Sequence, residues 1–230
     1  SGMTKREIDI TFDNCIYGNV KFLYISPERI ETEIFKERFR KMNVNLIAVD
    51  ESHCISQWGY DFRPSYLNIA KLRPEKLTVP FLALTATATP EVVIDIQKQL
   101  EFKKENALQI SFERKNLAYA VLQEEDKLNR LLKIFKKVPG TSIVYVRSRK
   151  KTKEIATFLI KNGVSADYYH AGLSNDERNK KQNNWINNST RVIVSTNAFG
   201  MGIDKASVRS VIHIDLPDSL EAYFQEAGRA

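Results

Sequence analysis

The sequence predicts an α/β protein built as two tandem units, each a parallel sheet flanked by helices. Three observations carry this expectation. Short apolar, β-branched runs alternate with longer amphipathic ones along the chain, the order that builds parallel sheets with helical crossovers. The alternation lapses once, over 112–118 (FERKNLA), and then restarts. At 230 residues the chain is long enough for two small units of this kind.

In the first unit, KFLYIS (21–26), NLIAVD (45–50), FLALTA (81–86) and LQIS (108–111) read as strands. ETEIFKERFRKM (31–42) reads as a helix between the first two. Thr89 is placed to cap a second helix that opens with Pro90 at its first position and runs through Leu100. The junction is set at 112/113. In the second unit DKLNRLLKIFKK (126–137) is helical and SIVYV (142–146) a strand. A helix from Ser148 stops near Gly163, which suits a left-handed cap. ADYYH (166–170) is a strand, and Ser174 with Glu177 has the spacing of a capping box. RVIVST (191–196) and SVIHID (210–215) follow as strands, and SLEAYFQEAGRA is a helix running to the end. That helix stops at Gly228-Arg229-Ala230 without a tail, and Ser1-Gly2-Met3 reads equally as a tag remnant or native interior sequence.

Composition narrows the function classes. An apolar fraction of 43% with 10% aromatics argues against disorder. The longest apolar runs fall short of a membrane span, and the N-terminus lacks a signal-peptide core. Cys15 and Cys54, the two cysteines, are too few for a disulfide framework or a four-cysteine zinc site. The expectation is a reducing, intracellular setting. The net charge of +7 is uneven: residues 1–112 hold 15 Lys+Arg against 15 Asp+Glu, and residues 113–230 hold 20 against 13. Five of seven residues in RSRKKTK (147–153) are basic. Alone such a run is a solvated helix face; with the asymmetry it raises the odds of a polyanion partner.

The stretch DESHCISQWGYDFRPSY (50–66) concentrates the chemistry. An apolar strand delivers Asp50 and Glu51 at its C-terminal edge, where α/β proteins bind ligands. Acids there can hold Mg²⁺ beside a nucleotide, and the second can take a proton from an attacking water. A bare hydrophobic-Asp-Glu string is more often a helix-capping pair. LALTATAT (82–89) ends the next strand in threonines, which could be β-branched filler. His53 has no second histidine or cysteine at ligand spacing. His213, in an apolar strand, reads as a hydrogen-bonded core histidine, and Cys54 as a small buried residue.

DESH, the Thr-Ala-Thr strand end and QEAGRA recur in this order in superfamily-two helicases, and the sequence resembles the RecQ family of DNA helicases more closely still. SQWGYDFRPSY (56–66) resembles that family's aromatic-rich loop; YISPER (24–29), YHAGLS (169–174), VSTNAFGMGIDKASVR (194–209) and YFQEAGRA (223–230) extend the match over both halves. The resemblance implies two RecA-like domains, 1–112 and 113–230, the first truncated at its N-terminus and the second at its C-terminus. It implies an ATP-dependent 3′-to-5′ DNA helicase of recombination and repair, acting on single-stranded and branched DNA in the cytoplasm at the chromosome. ATP and Mg²⁺ are the implied cofactors, with Asp50 as metal ligand and zinc only in a downstream domain.

Residue by residue, the resemblance gives Asp50 and Glu51 to the ATP site and makes His53 a coupler between that site and the second domain, with Thr85 and Thr87 joining in coupling. Trp58, Phe62 and Arg63 meet single-stranded DNA, so one segment reports DNA binding to the hydrolysis site. Trp58 and Phe62 offer faces for base stacking and Arg63 a partner for phosphate; a plainer reading makes Trp58, Phe62 and Tyr66 core residues under a loop. His170 and Thr196 come near the DNA backbone, and Gly202 and Asp204 near the nucleotide. Arg229 is the first arginine of the final motif, facing ATP across the interdomain cleft, although as sequence it is equally a helix C-terminal cation.

No G-x-x-x-x-G-K-[ST] string occurs, and none of the nine glycines precedes a lysine. In the family that phosphate loop, with a glutamine motif that reads adenine, lies upstream of everything matched here, so the expectation for these 230 residues alone is no helicase-rate hydrolysis. A non-catalytic nucleic-acid-binding module and a DEAD-box-like RNA helicase are the alternatives; DESH and QEAGRA weigh against the first, the aromatic loop against the second.

Overall fold

The computed structural model describes residues 3–59, 61–111, 113–200, 203 and 205–230. The chain divides into two compact units, residues 1–110 and 111–230. Among the described residues no helix is long and apolar enough to cross a membrane.

The first unit opens on α1 (Lys5–Tyr17), whose N-terminus is closed by a reciprocal capping box between Thr4 and Glu7. The Thr4 hydroxyl accepts from the Glu7 amide, and the Glu7 carboxylate accepts from the Thr4 amide, so two otherwise orphaned donors are satisfied. After a single turn, α2 (Pro27–Ile30), α3 (Glu33–Lys41) packs Phe35 and Phe39 inward. Phe12 of α1 meets Phe35 edge-on at 5.7 Å, and Phe35 stacks on Phe39 at 5.1 Å. Two strands, β1 (Ile47–Val49) and β2 (Phe81–Ala83), pair in parallel with Val49 opposite Ala83. Between them run two 3-10 helices, Ser52–Ile55 and Pro64–Leu72. Then comes α4 (Pro90–Gln99), with the Thr89 hydroxyl accepting from the Val92 amide as the capping pattern predicts.

Two expected strands are absent. Neither 21–26 nor 108–111 is hydrogen-bonded into a sheet. The alternation in 21–26 is real: Leu23 and Ile25 pack on the core, while Phe22 and Tyr24 are exposed with their rings stacked at 6.5 Å. Alternation satisfies only the side-chain half of a strand, and no described backbone lies alongside to complete the ladder. In 108–111, Leu108 and Ile110 are almost fully exposed, so even the packing half is missing.

The second unit follows the predicted order throughout: α5 (Lys127–Lys137), β3 (Thr141–Tyr145), α6 (Arg149–Lys161), β4 (Ala166–Tyr169), α7 (Asn175–Ile186), β5 (Val192–Ser195), β6 (Val208–His213) and α8 (Leu220–Ala227). Its four strands form one parallel sheet in the order β4-β5-β3-β6. The central pair, β3 and β5, is buried along its whole length, which is why those segments carry consecutive apolar residues with no polar alternation. One face, through Val144, Val192 and Val194, packs on Leu131, Phe135 and Leu159. The opposite face, through Ile143, Tyr145 and Ile193, packs on Trp185 and Phe199, which meet edge-on at 5.2 Å. Gly163 takes φ +77° just past α6, and Ser174 with Glu177 closes the N-terminus of α7.

Candidate active site

In the first unit the site grows from the end of the β1–β2 pair. The ladder continues past both strands, with Leu84 N–H donating to Val49 O (2.8 Å) and Ser52 N–H to Leu84 O (2.9 Å). This extension fixes where the chain turns. Asp50 is exposed at the turn, its Oδ1 accepting from the Glu51 amide at 2.9 Å. Glu51 adopts φ 49°, ψ 41°, a left-handed conformation uncommon for a residue other than glycine, and the next four residues wind into the interior as a 3-10 turn. Ser52, His53, Cys54 and Ile55 are all buried.

That winding joins the acidic and threonine motifs. His53 Nδ1 lies 2.9 Å from Thr85 Oγ1 and 3.5 Å from Glu51 Oε2, and Thr85 Oγ1 also accepts from the Thr87 amide at 3.3 Å. Burial lowers the His53 pKa, favouring a neutral imidazole that can donate at one nitrogen and accept at the other. A polar line therefore runs from Glu51 through His53 to Thr85 and Thr87. Ser52 Oγ and Thr87 Oγ1 are buried without a hydrogen-bond partner among the described residues. With the exposed Asp50 carboxylate they form a donor set suited to a nucleotide with its Mg²⁺.

The other ring nitrogen of His53 faces the aromatic loop. Its Nε2 is 3.7 Å from Cys54 Sγ, which in turn is 3.8 Å from Asp61 Oδ2. Spacing along the chain suggested no ligand partners for His53, yet folding brings donor atoms of His53, Cys54 and Asp61 within 4.8 Å of one another. Burial, reinforced by Asp61, pushes the Cys54 thiol up to about 12, and Asp61 is engaged by Arg63 Nη2 at 2.7 Å. Through these contacts the cluster clasps the turn to the loop. Arg63 N–H closes it by donating to Cys54 O at 2.8 Å.

The loop aromatics divide in burial. Trp58 is 80% exposed, which corrects the reading of it as a core residue. Phe62 is half-buried and Tyr66 is buried, so Tyr66 is the core member of the set. Tyr60 lies outside the described residues. Gly59 is required by close approach: a Cβ there would sit 2.6 Å from His53 O, a backbone atom that cannot step aside.

In the second unit His170 stands at the end of β4, half-buried, with Nδ1 lacking a partner among the described residues. A Cβ on Gly172 would lie 3.0 Å from Arg149 Nη1 and 3.3 Å from His170 Nδ1, so both side chains converge on this turn. Thr196, at the end of β5, is buried, and its hydroxyl accepts from the Ala198 amide at 3.5 Å, turning the chain toward Phe199. Gly202 and Asp204 lie outside the described residues. Arg229 is half-buried just beyond α8; its Nη1 reaches Ile203 O at 3.4 Å, and its Nε has no partner among the described residues. The guanidinium lies over Gly200, which has φ +125° and where a Cβ would be 2.5 Å from Arg229 Nε and 2.9 Å from Tyr145 Oη.

Two residues around Arg229 were not singled out from the sequence. Glu226 receives His213 Nε2 at 2.8 Å, tying α8 to β6, and His213 stacks on Tyr145 at 5.4 Å. The Tyr145 hydroxyl donates to Phe199 O at 2.9 Å, fixing the segment on which Arg229 rests. Glu226 sits inside YFQEAGRA, so its motif was visible, but its strand partner was not.

Comparison with known proteins gives these constellations a family. The family model described as DEAD/DEAH box helicase matches residues 2–96, and that described as helicase conserved C-terminal domain matches residues 126–230. The ATP-dependent DNA helicase RecQ of Bacillus subtilis is 43% identical over 234 residues, covering 100% of this chain and 39% of its own length. The RecQ-like DNA helicase BLM of Xenopus laevis is 44% identical over 221 residues, covering 92% of this chain and 16% of its own length. The chain thus spans well under half the length of these relatives. Among solved structures, Mycobacterium smegmatis helicase Lhr bound to ssDNA and AMP-PNP aligns with a TM-score of 0.76 at 18% identity, covering 100% of this chain and 32% of that one. Saccharomyces cerevisiae Dbp5 bound to RNA and ADP BeF3 aligns at 0.66 and 20% identity, covering 84% and 52%; at these identities the likeness shows the fold. Tandem parallel sheets, the acid and threonine motifs on one sheet edge and homology along the whole chain agree: this chain belongs to the superfamily-two helicases, among relatives of the RecQ type.

Proposed function

We propose that the chain is the motor segment of an ATP-dependent DNA helicase of the RecQ type, moving 3′ to 5′ on single-stranded DNA during recombination and repair. The observation that supports it best is the double attachment of His53. One ring nitrogen meets Thr85 beside Glu51, and the other meets Cys54, which leads through Asp61 and Arg63 to the loop bearing exposed Trp58. A base stacked on Trp58 would thus act on the same turn that sets Glu51.

On this reading the domains are 1–112 and 113–230, and the protein works in the cytoplasm on branched and single-stranded chromosomal DNA. Bound ATP with Mg²⁺ supplies the phosphoryl group and the charge neutralisation for its transfer. Asp50 would hold the metal, and Glu51 would orient the attacking water and accept its proton. His53, Thr85 and Thr87 keep Glu51 in register with the loop. Gly202 and Asp204 adjoin the nucleotide, and Arg229 contributes a fixed cation from the second unit. Trp58, Phe62 and Arg63 bind DNA in the first unit, His170 and Thr196 in the second.

The test is coupling in the full-length protein. Stacking on an aromatic is worth about 1–3 kcal/mol per base, so Trp58→Ala should raise the half-stimulating single-strand concentration about fivefold or more. Basal hydrolysis without DNA should stay within about twofold, because Trp58 carries no core contact that could unsettle Glu51. An unchanged DNA titration in the ATPase assay would remove the loop from the mechanism.

A further inference from the structure

The basic run 147–153 divides into two sets with different fates. Arg147 Nη2 pairs with Asp218 at 2.7 Å and Lys151 Nζ with Asp215 at 3.0 Å, so both are committed to acids that follow β6. Arg149 and Lys153 point elsewhere. With Thr157 and Lys161 they occupy successive i+4 positions on α6 and form one continuous ridge, about 18 Å long at 1.5 Å per residue. All four are exposed. Among the described residues no carboxylate stands within 4 Å of Arg149, Lys153 or Lys161; beside the ridge, Lys150 reaches Glu154 at 3.7 Å. The ridge borders an open groove of about 720 Å³ whose other end is His170.

We propose that this ridge is a backbone-tracking surface for single-stranded DNA, continuing the strand's path from the His170–Gly172 turn along the outside of α6. The inference rests on the proposed DNA-binding function and adds to it residues outside the helicase motifs, Lys153 and Lys161 above all. Three uncompensated cations in a row, one helical turn or two apart, have no internal work to do. Each can replace a condensed counterion on a phosphate, which makes binding favourable and strongly salt-dependent. A hydroxyl at Thr157 can donate to a phosphate oxygen within the same row.

The test uses the 230-residue chain and a fluorescein-labelled oligothymidylate, with anisotropy followed from low to moderate salt. Lys153→Gln with Lys161→Gln should weaken binding about three- to tenfold at low salt and flatten the log–log salt slope by about 1.4, from 0.7 per phosphate contact on single strands. Lys153→Arg with Lys161→Arg should restore both. Lys103→Gln with Lys104→Gln, exposed in the first unit, makes the same charge change as a control and should move neither by half as much. If the ridge and control variants behave alike while the parent chain binds, the ridge assignment is wrong and the DNA-binding reading stands. If the parent chain shows no salt-dependent binding at low salt, that reading fails and the ridge fails with it. An equal loss of affinity for polyglutamate would also overturn the proposal, since the ridge would then be a general acid-binding face.

Discussion

Glu51→Gln in the full-length helicase is expected to lower DNA-stimulated ATP turnover by about 10²–10⁴-fold, the usual loss when a positioned general base is removed. The substitution is nearly isosteric and keeps an oxygen toward His53, so the 3-10 turn and the Thr85 contact should persist. Single-strand affinity should therefore stay within about twofold, because the residues proposed to touch DNA are unchanged. Asp50→Asn should give a similar loss through weaker metal binding, partly recovered by raising Mg²⁺. Phosphate release with saturating DNA, beside an anisotropy titration, measures both quantities. Near-normal turnover in both variants would sink the assigned roles.

The largest stability effect should come from Trp185→Ala, a loss of about 3–5 kcal/mol for the second unit. Trp185 is 1% exposed, packs edge-on against Phe199 and donates its indole N–H to Ser142 O at 3.3 Å. Truncation leaves a cavity beneath the sheet and removes the indole hydrogen bond to a β3 carbonyl. Trp58→Ala, at the exposed tryptophan, should change stability by no more than about 0.5 kcal/mol. Urea unfolding followed by circular dichroism compares them; equal midpoints would mean that Trp185 is not a keystone of that core.

Much of this architecture was legible because it depends on local signals or on continuous apolar runs. The strands β3 and β5 announce themselves by consecutive apolar residues since both faces are covered, and Thr89, Gly163 and Ser174 mark helix ends through hydrogen bonds made within one turn. The helix α1 carried the same kind of signal, Thr4 with Glu7, and could have been read from it. Segments 21–26 and 108–111 carry strand-like composition without forming strands because a strand also needs a neighbour, and no local pattern supplies one. The site divides similarly. Asp50, Glu51 and the threonines converge because adjacent parallel strands must end at one edge. The Cys54–Asp61–Arg63 clasp and the His213–Glu226 bond join residues whose meeting depends on how turns close in space, so the residues were visible but their pairing was not.

With Glu51 in its proposed role as general base, its left-handed backbone sets heat tolerance against turnover at one position. A side chain with Cβ held in that region costs on the order of 1–2 kcal/mol relative to ordinary helical φ and ψ. Asparagine accepts the conformation more readily than glutamate does, so Glu51→Asn should raise the unfolding midpoint by the equivalent of about 0.5–1 kcal/mol while abolishing ATP turnover in the full-length protein. A melting point no higher than the parent's would show that the conformation is relieved by its surroundings. Selected for thermal survival alone, this residue would drift toward a sturdier protein without the proposed general base.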